Sequence, residues 1–306
     1  MNTRSNAMPE SGLDPQNNVP AVMRATRPLY WSLRRELWEN RSIYIAPLAV
    51  AAVALFGYLI SVIHRPVIRA LDPAMEREVL ARPYVWASGL IMATTFVVGI
   101  FYCLDALHGE RRDRSILFWK SLPVSDLTTV LSKAGIPLVV LPLLTIGITV
   151  ATQVTMLLLS SAARLASGRS VTELWTQLSL FQMSLMLLYH LLTVHALWHA
   201  PIYGWLLLVS GWARRAAFLW AALPLFAIGI IEKIVFDTSH FVDLLGNRMS
   251  GPEAFNFAER GGDPMYSMGT LGLGGFLSTP GLWIGLAVAA AFLAAAVRLR
   301  HYQGPI

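Results

Sequence analysis

The sequence predicts an all-α integral membrane protein: six transmembrane helices, an N-terminal interfacial amphipathic helix and a re-entrant segment before the last span. Three observations predict it. Mean hydropathy is +0.54 and charged residues make up 14% of the chain, against roughly 25% in soluble domains. Six apolar runs are each long enough to cross about 30 Å of hydrocarbon at about 1.5 Å per residue. Lysine and arginine fall mainly on one side of those runs, which is what orients a membrane protein.

The runs lie at 43–63, 84–104, 135–159, 180–210, 216–236 and 279–297. Residues 1–28 are polar or mixed and read as a disordered cytoplasmic tail; no short apolar core followed by a cleavage site is visible in them, so no removable signal peptide is expected. Residues 29–42, LYWSLRRELWENRS, place Leu29, Leu33 and Leu37 on one helical stripe, with Tyr30 and Trp38 beside it and Arg34, Arg35 and Glu39 mainly elsewhere. That pattern belongs to a helix lying in the interface plane, either as a plain membrane-surface anchor or as a docking helix for a partner. Cys103 is the single cysteine, which excludes a disulfide framework within the chain and any multi-thiolate metal site.

The outer loops 64–83 and 160–179 are short and mixed in charge. The fourth run is too long for one straight crossing and carries Pro201 and Gly204, so it is either kinked or continues past the interface. Glu232 and Lys233 close the fifth run and belong near water. Adjacent in sequence, they point about 100° apart and need not pair. Outer loop 237–278 ends in the charge-free, glycine-rich stretch GTLGLGGFLSTPG; over 265–278 it is either a re-entrant piece buried in protein or a flexible loop. Residues 298–306 form a cytoplasmic C-terminal tail. With both termini in the cytoplasm, fifteen of the 24 lysines and arginines lie inside and nine outside. The net charge of +6 is thereby accounted for without nucleic acid.

The cytoplasmic loop 105–134 carries the densest charge of the chain, Glu110, Arg111, Arg112, Asp113 and Arg114, followed directly by Ile116, Leu117, Phe118 and Trp119. A helix entering water explains the charges, with Asp105 at the membrane exit either pairing to a neighbouring arginine or meeting water. It does not explain the apolar group, each member of which costs about 1.5–3 kcal/mol if left in water. Pro123 ends the element and Ser125 caps a new helix leading through Asp126 into the third span. The sequence thus predicts a short helix across the membrane face, charged at its start and apolar at its end.

The order of these features, an amphipathic N-terminal helix, a span, ALHGERRDRSILFWKSLPVS after the second span, and APIYGWLLLVSGWARRAAFLW joining the fourth and fifth, resembles the membrane subunit of bacterial ATP-binding-cassette exporters of the second type, from residue 29 onward. The resemblance implies a permease in the bacterial inner membrane, working as a pair of permease copies or paralogues, with a separate nucleotide-binding subunit beneath each. It implies that Glu110, Arg111, Arg112, Asp113, Arg114, Phe118 and Trp119 couple the permease to the ATPase, that Leu33, Leu37 and Trp38 lie on a connecting helix, and that 265–278 is re-entrant. ATP and magnesium would belong to the partner, with no cofactor on this chain. In agreement, the sequence holds no G-x-x-x-x-G-K-[ST] phosphate cradle.

Inside the membrane, His195 and His199 share a helical face while His190 points away. They allow a metal site, a proton relay or interhelical hydrogen bonding, and the first lacks further ligands. Thr145, Thr149, Thr152 and Gln153 form a polar stripe on the third span, either a pathway wall or helix-to-helix glue. No arrangement of residues reads as catalytic. The competing functional class is an ion- or proton-coupled transporter or channel using the histidines of the fourth span.

Overall fold

The computed structural model describes residues 21–64, 73–121, 124–168, 170–251 and 273–304. All regular structure among them is helical, and six helices are long and apolar enough to cross a membrane.

Helix α1 (Ala21–Glu39) starts inside the stretch read as a tail; residues 1–20 lie outside the described residues. It ends because Asn40 turns its amide and its backbone N–H onto the Glu36 carbonyl, at 3.1 and 3.0 Å. The chain then enters α2 (Ser42–His64), the first span. The second span is α3 (Pro73–Ala106), followed by the short helices α4 (His108–Arg112) and α5 (Ser115–Ser121). Arg114 makes the corner between them at φ 59°, a left-handed conformation that costs a non-glycine residue about 1–2 kcal/mol. That corner fixes the direction in which α5 leaves. Pro123 lies outside the described residues. Ser125 caps α6 (Asp126–Gly135) as expected, its hydroxyl accepting from the Thr128 N–H at 3.1 Å.

A π-helical stretch (Ile136–Val140) joins α6 to α7 (Leu141–Ala166). The combined helix is continuous over Asp126–Ala166 and about 60 Å long, so it reaches beyond the membrane at both ends. After α8 (Thr172–Gln177), the fourth run is broken. Helix α9 (Leu180–His190) passes into a second π-helical stretch (Leu191–Trp198), bends at His199 and resumes as α10 (Ala200–Trp212). Pro201, which has no N–H to donate, sits in the first turn after the bend, where none is needed. The crossing-length portion is Leu174–Trp198, with α10 as a shorter apolar helix.

The remaining elements are α11 (Ala217–Phe236), α12 (His240–Ser250), α13 (Leu273–Leu277) and α14 (Pro280–Tyr302). Of the expected re-entrant piece, 273–277 is a short helix before the last span and 265–272 lie outside the described residues. Glu232 and Lys233 do not pair with each other. Glu232 accepts from the Phe241 N–H and the Thr238 hydroxyl, tying α11 to α12, while Lys233 bridges to Asp237 at 2.7 Å.

The core lies where α3, α7, α10 and α14 meet, around Tyr102, Cys103, Leu141, Tyr203 and Leu207. Helices α10 and α14 pack most closely. A Cβ added to Gly204 would stand 3.2 Å from the Ala289 carbonyl oxygen and 3.3 Å from the Phe292 Cβ, the close backbone approach that small residues permit between membrane helices. The outer surface carries bare Val53, Phe56, Phe101, Phe226, Ile234 and Trp283, an apolar band that only lipid or another membrane chain can cover.

Candidate functional site

Of the five charges of 110–114, Glu110, Arg111 and Arg112 are consecutive on α4 and so cannot share a face, Asp113 caps its end and Arg114 makes the corner to α5. Glu110 and Arg111 turn inward and are buried; Arg112, Asp113 and Arg114 turn outward. Exposed Arg112 holds Asp113 at 3.1 Å and Asp105 at 3.8 Å.

Glu110 is the centre of an ionic hub. One carboxylate oxygen accepts from Arg35 at 3.2 Å and Lys133 at 3.1 Å; the other accepts from Arg300. Glu36 accepts from Lys133 at 2.9 Å, Arg35 at 2.8 Å and the Tyr102 hydroxyl at 2.8 Å. Asp126 accepts from Arg300 at 3.1 Å and contacts His301 at 3.3 Å. Glu36, Glu110 and Asp126 thus face Arg35, Lys133 and Arg300, and α1, α3, α4, α6 and α14 are tied together at one level. Buried ions survive this way because each is paired with groups of opposite charge.

Arg111 is spent on backbone. It donates to the carbonyls of Gly211, Ala213 and Gly304 at 2.6, 3.3 and 3.4 Å. The Ser210 hydroxyl accepts from the N–H groups of Leu107 and His108. Lys120 donates to the carbonyls of His301 and Gln303 at 3.2 and 3.0 Å. Helices α4 and α5 are thus bolted to the α10–α11 corner and to the end of α14. Glu110 and Arg111, expected among the coupling positions, are internal struts, with neither offered to solvent.

Of the apolar group on α5, Ile116 is buried, while Leu117 and Phe118 are each 59% exposed. Trp119 is half-buried. The Arg35 guanidinium lies 3.7 Å above its ring, and Phe118 meets it edge-to-face at 4.9 Å. A cavity of about 320 Å³ opens between α1 and this loop, bounded by Glu36, Glu39, Asp105, Glu110, Trp119 and Lys133. On α1, Leu33 and Leu37 pack into the core, and Trp38 stands exposed.

Sequence reasoning missed Glu36, Lys133, Asp126 and Arg300. One signal existed: Glu36 sits between Leu33 and Leu37 on the inward stripe of α1, where a lone charge demands a buried partner. Burial alone would raise the Glu36 carboxyl, but attraction from Lys133 and hydrogen bonds from Lys133 and Arg35 outweigh it and hold the group below its ordinary 4.5. A depressed carboxylate adds stability that is complete above 4.5 and is lost as pH falls through the lower folded value. Thermal unfolding between pH 7 and 3 should therefore show a Glu36-dependent drop confined to the acid side of 4.5. Glu36→Gln should lower the melting temperature at neutral pH and flatten that drop.

The stripe on α7 is buried and its bonds are interhelical or local. Thr145 donates to Thr95 on α3 at 3.0 Å, Gln153 donates to Ser88 on α3 at 2.9 Å, and Thr152 donates to the Ile148 carbonyl at 2.7 Å. The Thr149 hydroxyl and the Gln153 carbonyl oxygen have no partner among the described residues. Beyond it, His195 and His199 cluster with Phe96 and Tyr203. The Tyr203 hydroxyl is 3.3 Å from His195, and the His199 Nε2 donates to the Met249 carbonyl at 3.1 Å. The expectation that His190 points away assumed ordinary α-helical winding. The stretch that follows it is π-helical, and bonding from i to i+5 brings residues five apart, such as 190 and 195, toward one face. Among the described residues no group of three or more His, Cys, Asp or Glu is placed to hold a metal. Helix α12 closes over the bend, where its Asn247 and Met249 carbonyls accept from Trp198 and His199. Arg248 stacks on Trp198 at 4.3 Å and donates to the Gly281 carbonyl at 2.9 Å, in space that a side chain at Gly285 would fill.

No family model matches the chain, and no curated protein or solved structure matches it either.

Proposed function

We propose that this chain is the permease subunit of an ATP-driven exporter of the bacterial inner membrane, with both termini cytoplasmic, paired with a second permease copy or paralogue and driven by separate ATPase subunits docked beneath α5. The observation that carries the reading is the contrast within seven residues of α5. Leu117 and Phe118 are bare, while Ile116, Trp119 and Lys120 are fastened to the core, to α1 and to the end of α14. A bare apolar pair in the cytoplasm is a surface for another protein. Its fastenings would pass any displacement through the hub to α1, α6 and α14.

In this reading ATP and magnesium act on the partner, whose closure pushes α5. The buried ion pairs move as a block, and the helices switch between two packings. Arg112, Asp113 and Arg114, exposed around the same corner, steer the encounter. The test is copurification. Membranes expressing the chain with its ATPase should yield a complex, and Leu117→Ala with Phe118→Ala should reduce recovered ATPase at least about tenfold without changing the melting temperature of the permease. An equal yield from the variant contradicts the proposal.

A second reading draws support from the contact of His195 and His199 at a π-helical stretch, a feature often found at functional sites. If transport follows a pH gradient without ATP and stops in His195→Phe, a proton-coupled carrier is the better description.

A further inference from the structure

Helix α1 turns two chemically distinct faces outward and inward. Leu33, Glu36 and Leu37 face the bundle. Trp31, Arg34 and Trp38, at i, i+3 and i+7, share the opposite face, and the two indoles are 59% and 69% exposed with Tyr30 beside them. The Arg34 guanidinium lies over both rings, 5.3 Å from the centroid of Trp31 and 5.2 Å from that of Trp38. Among the described residues no carboxylate pairs with it. Its neighbour Arg35 shows the contrast, committed inward to Glu36, Glu39 and Glu110.

We propose that Trp31, Arg34 and Trp38 form a binding site for the phosphate of an anionic glycerophospholipid in the cytoplasmic leaflet. Position favours a lipid occupant: α1 leads through two residues into the first span, which sets its face at headgroup depth, where tryptophan rings are most stable. Charge favours an anion. Contact with the two rings occupies no N–H group in an ion pair, so the guanidinium fork remains available to meet phosphate oxygens in a two-pronged bond. Holding Arg34 between two rings also removes rotamer freedom before the lipid arrives, which lowers the cost of binding. The indoles then lie against the glycerol and upper acyl region. This assignment gives Trp38 a lipid to contact in place of the ATPase, and it does not depend on the exporter reading.

The experiment uses the full chain, delipidated in detergent and titrated with phosphatidylglycerol or phosphatidylcholine of identical acyl chains, with bound lipid counted by native mass spectrometry. The wild type should prefer phosphatidylglycerol. Arg34→Gln should reduce that preference about fivefold, the amount expected for one arginine near an anionic surface, and Arg34→Lys should keep part of it. Trp31→Leu with Trp38→Leu should lower it while leaving phosphatidylcholine binding in place. Arg215→Gln, an exposed arginine at another cytoplasmic corner, controls for general charge and should lower the preference less. An unchanged preference in Arg34→Gln overturns the proposal, as does an equal loss in Arg215→Gln. If Arg34→Gln spares lipid selectivity but loses the copurified ATPase, the face is a protein contact and the proposal is wrong.

Discussion

Replacing Glu110 with glutamine is expected to cost about 3 kcal/mol and to lower the melting temperature by roughly 5–10 °C. The side chain keeps its shape but loses the charge that Arg35, Lys133 and Arg300 share. Lys133 and Arg300 are only 3% and 4% exposed, so water cannot replace the lost partner, and removing one member of a buried pair typically costs about 3–5 kcal/mol. The lower end applies because each cation keeps a second carboxylate, Glu36 for Lys133 and Asp126 for Arg300. The partners also make the effect separable from simple damage. In a double-mutant cycle, Lys133→Met should recover at least about 1 kcal/mol of the Glu110→Gln loss, because the uncompensated buried charge goes with it. Additive losses would mean that the two residues do not share a hub.

Gly204→Val should be the other severe change. The Cβ alone would already press on the Ala289 carbonyl and the Phe292 side chain, at 3.2 and 3.3 Å. Two further methyl groups would have to separate α10 from α14, the most extensive helix pairing in the bundle. Overpacking of this kind costs about 1–3 kcal/mol, and the backbone carbonyl in the contact cannot rotate away, which places the expected loss at the upper end. Gly204→Ala should be much milder, since the gain of roughly 1 kcal/mol in helix propensity offsets most of the crowding. Thermal unfolding of the two variants side by side checks the ordering.

The architecture was legible because lipid makes simple demands. Charge-free runs of membrane length must be helices, and five of the six runs found in the sequence fall on crossing-length helices, while the fourth is divided at His199 between Leu174–Trp198 and α10. Ser125 was legible as a cap and Cys103 as a core residue because both follow from local chemistry. The ionic hub was not legible. Its members stand at 35, 36, 110, 126, 133 and 300, and no local pattern announces that residues up to 265 positions apart converge. The cluster 110–114 read as one exposed group because sequence gives proximity along the chain, while the last turn of α4 and the corner after it divide the cluster between inside and outside. The winding around His195 was not legible for a related reason: a π-helical stretch has no sequence signature comparable to an apolar stripe.

The central claim is that a motor protein grips the bare end of α5. A photo-cross-linking amino acid placed at Phe118, in cells producing the chain at native level, tests it most directly. The account predicts an ultraviolet-dependent adduct with a protein that carries a phosphate-binding P-loop, absent when the cross-linker is moved to lipid-facing Phe226. Adducts with lipid alone at position 118, or none with a nucleotide hydrolase, would contradict it.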